Sequence, residues 1–155
     1  MTGPGAPDLL VVGGGIVGCA VAIEAVRRGA SVRLLERDQP GVGATGASAG
    51  ILSPLYEAEG PGPLFRFGLE NHRRYPAFVR RIEASTEWPL GLRRDGLLVA
   101  NWTADEEELA RSTVAWQREA GCRARILDPG EAARIHPSVS REARSYVWLP
   151  DEAPR

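Results

Sequence analysis

Gly13, Gly15 and Gly18 stand at G-x-G-x-x-G spacing inside the run Val11-Val12-Gly13-Gly14-Gly15-Ile16-Val17-Gly18, and Glu36 follows a second apolar run. Residues of these types, in this order, can hold the adenosine end of a dinucleotide. The glycines make a tight turn and let the backbone approach a pyrophosphate, whose charge then sits at a helix N-terminus. A carboxylate at Glu36 accepts hydrogen bonds from ribose hydroxyls and repels a 2′-phosphate. NADP is therefore disfavoured, while NAD and FAD both stay open. Arg37, next in the chain, reads as solvent-facing.

For these residues to meet, the chain must run strand, turn, helix, strand. Asp8 to Val12 is an apolar run suited to a buried parallel strand. Ile16 to Arg28 reads as a helix whose small residues (Gly18, Ala20, Ala22, Ala25) allow close packing on a sheet, with Gly29 as its terminator. Ser31 to Leu35 is the second strand, with Glu36 at its carboxyl end. The whole fits a βαβ unit of about 30 residues. A glycine turn alone says little, and a βαβ unit that binds nothing is the bland alternative. Here every flanking piece of the fingerprint agrees.

After Glu36 comes DQPGVGATGASAGIL, Asp38 to Leu52, which has little side-chain bulk and no charge beyond Asp38. A segment of this kind offers backbone N–H groups and the hydroxyls of Thr45 and Ser48 to something held very close. Alone it reads equally well as a flexible loop. Directly after a ribose-binding acid, a second cofactor contact is the better reading: N–H groups for a pyrophosphate, and Gly50-Ile51 against a flat ring. This loop also argues against an NAD module, in which another helix is expected at that point.

Glu57 to Pro63 is a Pro/Gly/Glu linker. Leu64 to Ser85 reads as a helix broken or kinked at Pro76, with an apolar stripe through Leu64, Phe67, Tyr75, Phe78, Val79 and Ile82 as core. Gly96 to Asn101 is a strand. Thr103 and Glu106 form a capping box for a helix to about Ala120, with Leu109, Thr113 and Trp116 inward, Glu107 and Arg111 paired outside, and Gly121 as terminator. Arg123 to Leu127 and Ser145 to Leu149 read as strands, and Asp128-Pro129-Gly130-Glu131 caps a short helix to His136.

Composition narrows the classes of partner. A net charge of −1 gives no field for nucleic acid or anionic lipid, and the arginine pairs at 73–74, 80–81 and 93–94 lie among glutamates as solvated surface. All 19 basic residues are Arg; codon bias accounts for that more simply than phosphate binding. The Leu9–Ile23 stretch has no basic residue before it, contains four glycines, and is too short to span a membrane. A cytoplasmic protein without membrane or nucleic-acid partners is expected. Cys19 and Cys122 lack metal-site or C-x-x-C spacing and read as reduced, structural thiols. His72 and His136 read as surface or helix-end residues, and no metal site is expected.

VVGGGIVG, LLER, GATGASAGIL, HRRYPAFVRRIEA and RRDGLLVAN occur in the order shown by the D-amino-acid-oxidase-like (DAO) family of FAD-dependent enzymes, which this chain resembles. The likeness is greatest to the family's glycine oxidase branch, of thiazole (thiamine) biosynthesis, and covers only its N-terminal part. The resemblance implies an α/β fold, with a Rossmann-like FAD-binding βαβ half-domain in residues 1–90. An α+β substrate domain with an antiparallel sheet would begin in 91–155. It implies FAD as cofactor, held at Gly13, Gly15, Gly18, Ile16 and Val17 (pyrophosphate) and at Glu36 and Arg37 (adenosine ribose). Ala44, Thr45, Ser48, Ala49, Gly50 and Ile51 would meet the remaining pyrophosphate and the flavin. Gly46 stands where relatives often have Ser, which puts one hydroxyl contact in question.

The reaction so implied passes hydride from an amine Cα to flavin N5; the imine hydrolyses, and O₂ reoxidises the flavin to give H₂O₂. The substrate would be glycine or another small amino acid or amine, with a D-amino-acid or sarcosine-type oxidase or dehydrogenase as the alternative. The substrate-binding Arg and a late glycine-rich loop lie in a part of the family's sequence not represented here, so no catalytic residue is assigned. Two parallel strands with no later strand to pair them suggest an N-terminal fragment of a longer flavoenzyme, inactive alone. A truncated nucleotide-binding fragment without catalysis is the remaining alternative, and homo-oligomerisation stays open.

Overall fold

The apolar run Leu9–Val12 forms β1 and Val32–Leu35 pairs with it in parallel as β2, in a computed structural model that describes residues 5–152. The register sets Leu9 opposite Val32 and Val12 opposite Leu35. Asp8 and Ser31 fasten the open end: the Asp8 carboxylate accepts from the Ser31 N–H at 2.9 Å and from its hydroxyl at 2.7 Å. Between the strands runs α1, Ile16–Arg27. It ends in a Schellman turn, with Gly29 at φ +87°, its N–H on the Val26 carbonyl and the Ala30 N–H on that of Ala25. The short α2, Ala44–Ala47, follows inside the stretch expected to be loop. Among the described residues this sheet has two strands, and much apolar surface around it is open: Val12 is 81% exposed.

The second unit begins at Gly50. Its sheet places β5 (Ser145–Leu149) between β3 (Leu97–Asn101) and β4 (Arg125–Leu127), antiparallel to both. Helices α3 (Pro63–Glu83), α4 (Ala104–Glu119) and α5 (Pro129–Ile135) complete it. Leu55, Phe65, Val114, Ala124 and Leu149 form one core cluster; Leu127, Ala132, Ala143 and Tyr146 form another. Both capping boxes form: Thr103 and Asp128 accept from the N–H groups of Glu106 and Glu131, whose carboxylates reach back. Gly121 closes α4 in a second Schellman turn, with the Cys122 N–H on the Gln117 carbonyl at 2.9 Å. No helix among the described residues is long and apolar enough to cross a membrane, and no group of three metal-ligating side chains occurs among them.

Four details differ from the sequence-based expectation. Helix α3 runs unbroken through Pro76, tertiary packing of Phe65, His72 and Val79 outweighing the lost N–H. His72 is buried on that helix, 9% exposed, and not a surface residue. The inward face of α4 is Ala110, Val114 and Gln117, one position on from the stripe expected; Leu109 is 67% exposed, while Thr113 and Trp116 flank the core half-buried. Leu64 and Phe67, expected in the core stripe of α3, are 82% and 69% exposed. Packing divides the chain between Ala49 and Gly50. The reason is that Phe65 of α3 shares a core with Leu55 and Leu149 and meets Trp116 edge-on at 5.1 Å.

Candidate cofactor-binding site

The carboxyl ends of β1 and β2 and the N-terminus of α1 converge at the glycine turn. Gly13, at φ +108°, turns the chain out of β1, and its N–H donates to the Leu35 carbonyl at 2.8 Å. That conformation favours glycine. Gly18 lies where α1 crosses the turn: a Cβ there would sit 2.0 Å from the Gly13 carbonyl oxygen. Close helix–strand packing is thus built on its missing side chain.

Glu36 is fixed from two sides. Its Oε2 accepts the Gly14 N–H at 2.6 Å and its Oε1 accepts the Asp38 N–H at 3.1 Å. These backbone donors, Gly14 first, hold its carboxyl below the usual carboxylate range, so it is ionised at neutral pH. Each oxygen retains acceptor capacity for a further donor. Thr45 of α2 reaches the start of α1, where its Oγ1 accepts the Ile16 N–H at 3.0 Å. No side chain of Gly15, the N-cap, competes there. The Gly41 N–H donates to the Gly14 carbonyl at 3.0 Å and draws the intervening loop over the turn.

These elements enclose a cleft of about 440 Å³, within the range of small-molecule sites. Of the expected residues, Gly13, Gly15, Glu36, Arg37, Ala44 and Thr45 line it. Gly18 underlies it, and Ile16 and Val17 expose their side chains in the first turn of α1. Ser48 caps α2 and Ala49 closes the first unit, whereas Gly50 (φ +70°) and Ile51 open the second. The stretch expected to act as one contact therefore spans the division between units. Asp38, Gln39, Gly41, Val42 and Gly43 of the glycine-rich segment, together with Val12 and Leu35, also line the cleft. Sequence reasoning gave no separate role to Gly14, whose N–H anchors the acid.

The donor set suits the adenosine-to-pyrophosphate end of a dinucleotide: an ionised acceptor at the end of β2, backbone without side chains at the turn, and a hydroxyl over the helix N-terminus. A family model described as DAO, FAD dependent oxidoreductase, matches residues 8–153. The chain belongs to this family. It is 31% identical over 147 residues to the glycine oxidase of Geobacillus kaustophilus, covering 94% of this chain and 39% of that protein. It is 29% identical to the bifunctional protein ThiO/ThiG of Synechocystis, over 94% of this chain and 21% of that protein. The crystal structure of glycine oxidase from Geobacillus kaustophilus superposes with a TM-score of 0.91 at 26% identity, over 96% of this chain and 40% of the other. The chain thus spans about two-fifths of the length of its glycine oxidase relatives.

Proposed function

We propose that the protein carrying this chain is an FAD-dependent oxidase of glycine or another small amino acid or amine. Within it, residues 13–51 hold the dinucleotide end of FAD. The observation that carries the reading is Glu36, ionised and pinned at 2.6 Å to the Gly14 N–H on the wall of a cleft lined by the glycine turn.

The chain's own residues bind and orient. Glu36 accepts ribose hydroxyls through its remaining lone pairs, with Arg37 beside it. Thr45, whose oxygen is occupied by the Ile16 N–H, keeps its own proton to donate to a phosphate oxygen. The first turn of α1 offers further N–H groups and the positive end of its dipole. Ser48, Ala49, Gly50 and Ile51 are proposed to continue the contact towards the flavin. When bound, the flavin supplies acceptance of a hydride from the amine Cα, with O₂ as the final acceptor. Residues 1–90 contribute to the FAD domain of the whole protein and 91–155 begin its substrate domain, a functional division separate from the packing boundary. A cytoplasmic location is part of the same proposal.

The test is to purify the protein as its gene encodes it, denature it and identify what it releases, then to measure peroxide production. FAD release, with peroxide from glycine exceeding that from sarcosine or bulky D-amino acids, is expected. A colourless protein that binds NAD overturns the reading.

A further inference from the structure

Leu55 is gripped on both sides of its backbone by side chains from far along the second unit. Its N–H donates to Glu152 Oε1 at 2.7 Å, and its carbonyl accepts from Gln117 Nε2 at 2.8 Å. All three residues are buried, Glu152 at 0% exposure and Gln117 at 1%. Their other oxygens, Glu152 Oε2 and Gln117 Oε1, have no hydrogen-bond partner among the described residues. With Glu152 ionised both are acceptors, and neither is met by a donor among the described residues. Leaving a charged oxygen bare in such a place is costly.

We propose that Glu152 and Gln117 form a proton-operated latch on Leu55. The latch is closed while Glu152 carries a proton, which removes the bare buried charge, and it loosens when that proton leaves. The surroundings favour the neutral acid. Burial, with the Asp151 and Glu57 carboxylates nearby, pushes the Glu152 carboxyl up to about 7, against the pull of the Leu55 and Tyr56 N–H groups. From the end of α4 it faces the Cys122 thiol, itself kept protonated by burial. Asp151 is paired with Arg123, and His72, Arg73 and Arg94 line the cleft next to Leu55. Leu55 closes the segment that begins at Gly50-Ile51. A consequence for flavin contact therefore rests on the function proposed above, whereas the latch itself does not.

The test uses the protein as its gene encodes it, with isotope-edited infrared spectroscopy and amide hydrogen exchange. A protonated carboxyl band is expected at about pH 6, absent from Glu152→Gln and titrating away near pH 7. Protection of the Leu55 N–H, corrected for intrinsic rate, is expected to fall about tenfold per pH unit above about pH 5 and to level off near 7. Absence of the band in the wild type, or Leu55 protection that ignores pH, overturns the latch. The wild-type titration decides this even where the variant does not fold. Bound FAD is assayed separately: its absence alongside a titrating latch would reject the function and keep the latch.

Discussion

The Gly14 N–H donates to Glu36 Oε2 at 2.6 Å, joining the middle of the glycine turn to the acid at the end of β2. One bond thus sets both the shape of the turn and the direction of the carboxylate proposed to meet the ribose. Glu36→Ala is expected to weaken FAD binding by about tenfold or more, the cost of a lost hydrogen bond to a charged group. Glu36→Gln should lose less, because an amide oxygen still accepts. Flavin fluorescence titration measures both. Since the carboxyl is held below its usual range, wild-type affinity should persist in acid through the ordinary carboxylate range and fall only below it.

Gly18 and Gly15 share the fingerprint but meet different neighbours. A Cβ on Gly18 would press to 2.0 Å on the Gly13 carbonyl oxygen, whereas one on Gly15 would meet the Thr45 hydroxyl at 3.0 Å. Backbone cannot yield as a hydroxyl can. Gly18→Ala should cost about 1–3 kcal/mol of stability, and Gly15→Ala clearly less. Thermal unfolding of the two variants orders them.

Gly46 is not a vacant place awaiting a serine hydroxyl. Its Cβ position lies 2.8 Å from the Gly41 carbonyl oxygen. Gly46→Ser should therefore disturb the loop that lines the cleft and weaken FAD binding, although it adds a hydroxyl. Tighter binding by that variant would show that the loop yields.

Glu152 gives a pH dependence of defined sign. Its folded-state value, about 7, lies above the ordinary 4.5, so its contribution to stability is full below about pH 4.5 and is lost as pH rises to 7. The loss is on the order of 3 kcal/mol. Asp8, Glu36, Glu106 and Glu107, all held low by hydrogen bonds, act oppositely and lose stability as pH falls through the carboxylate range. Urea unfolding of wild type and Glu152→Gln between about pH 5 and 8 separates them: the variant's curve should be flatter.

Much of this was legible in the sequence where local chemistry decides structure. The turn at Gly13, both capping boxes, the helix stops at Gly29 and Gly121, and β5 at Ser145–Leu149 all follow from residue types at fixed offsets. What escaped depends on distant partners. Pro76 stays helical because α3 packs through Phe65 and Val79, and Leu109 lost its inward place because Gln117 turns in to hold Leu55. Nothing local in Asp151-Glu152 signals that the second carboxylate would be buried against a residue 97 positions earlier. The rotated face of α4 can be checked directly: Val114→Ala should cost about 1–3 kcal/mol and Leu109→Ala under about 0.5.

The central claim is that the Gly13–Gly18 turn and Glu36 hold the ribose and pyrophosphate of FAD. Equilibrium titration of the purified protein and its Glu36→Ala variant with FAD and with NAD tests it most directly. The account predicts that the wild type prefers FAD and that the variant loses about tenfold or more of that affinity. Equal FAD affinity in the two proteins, or a preference for NAD, would contradict it.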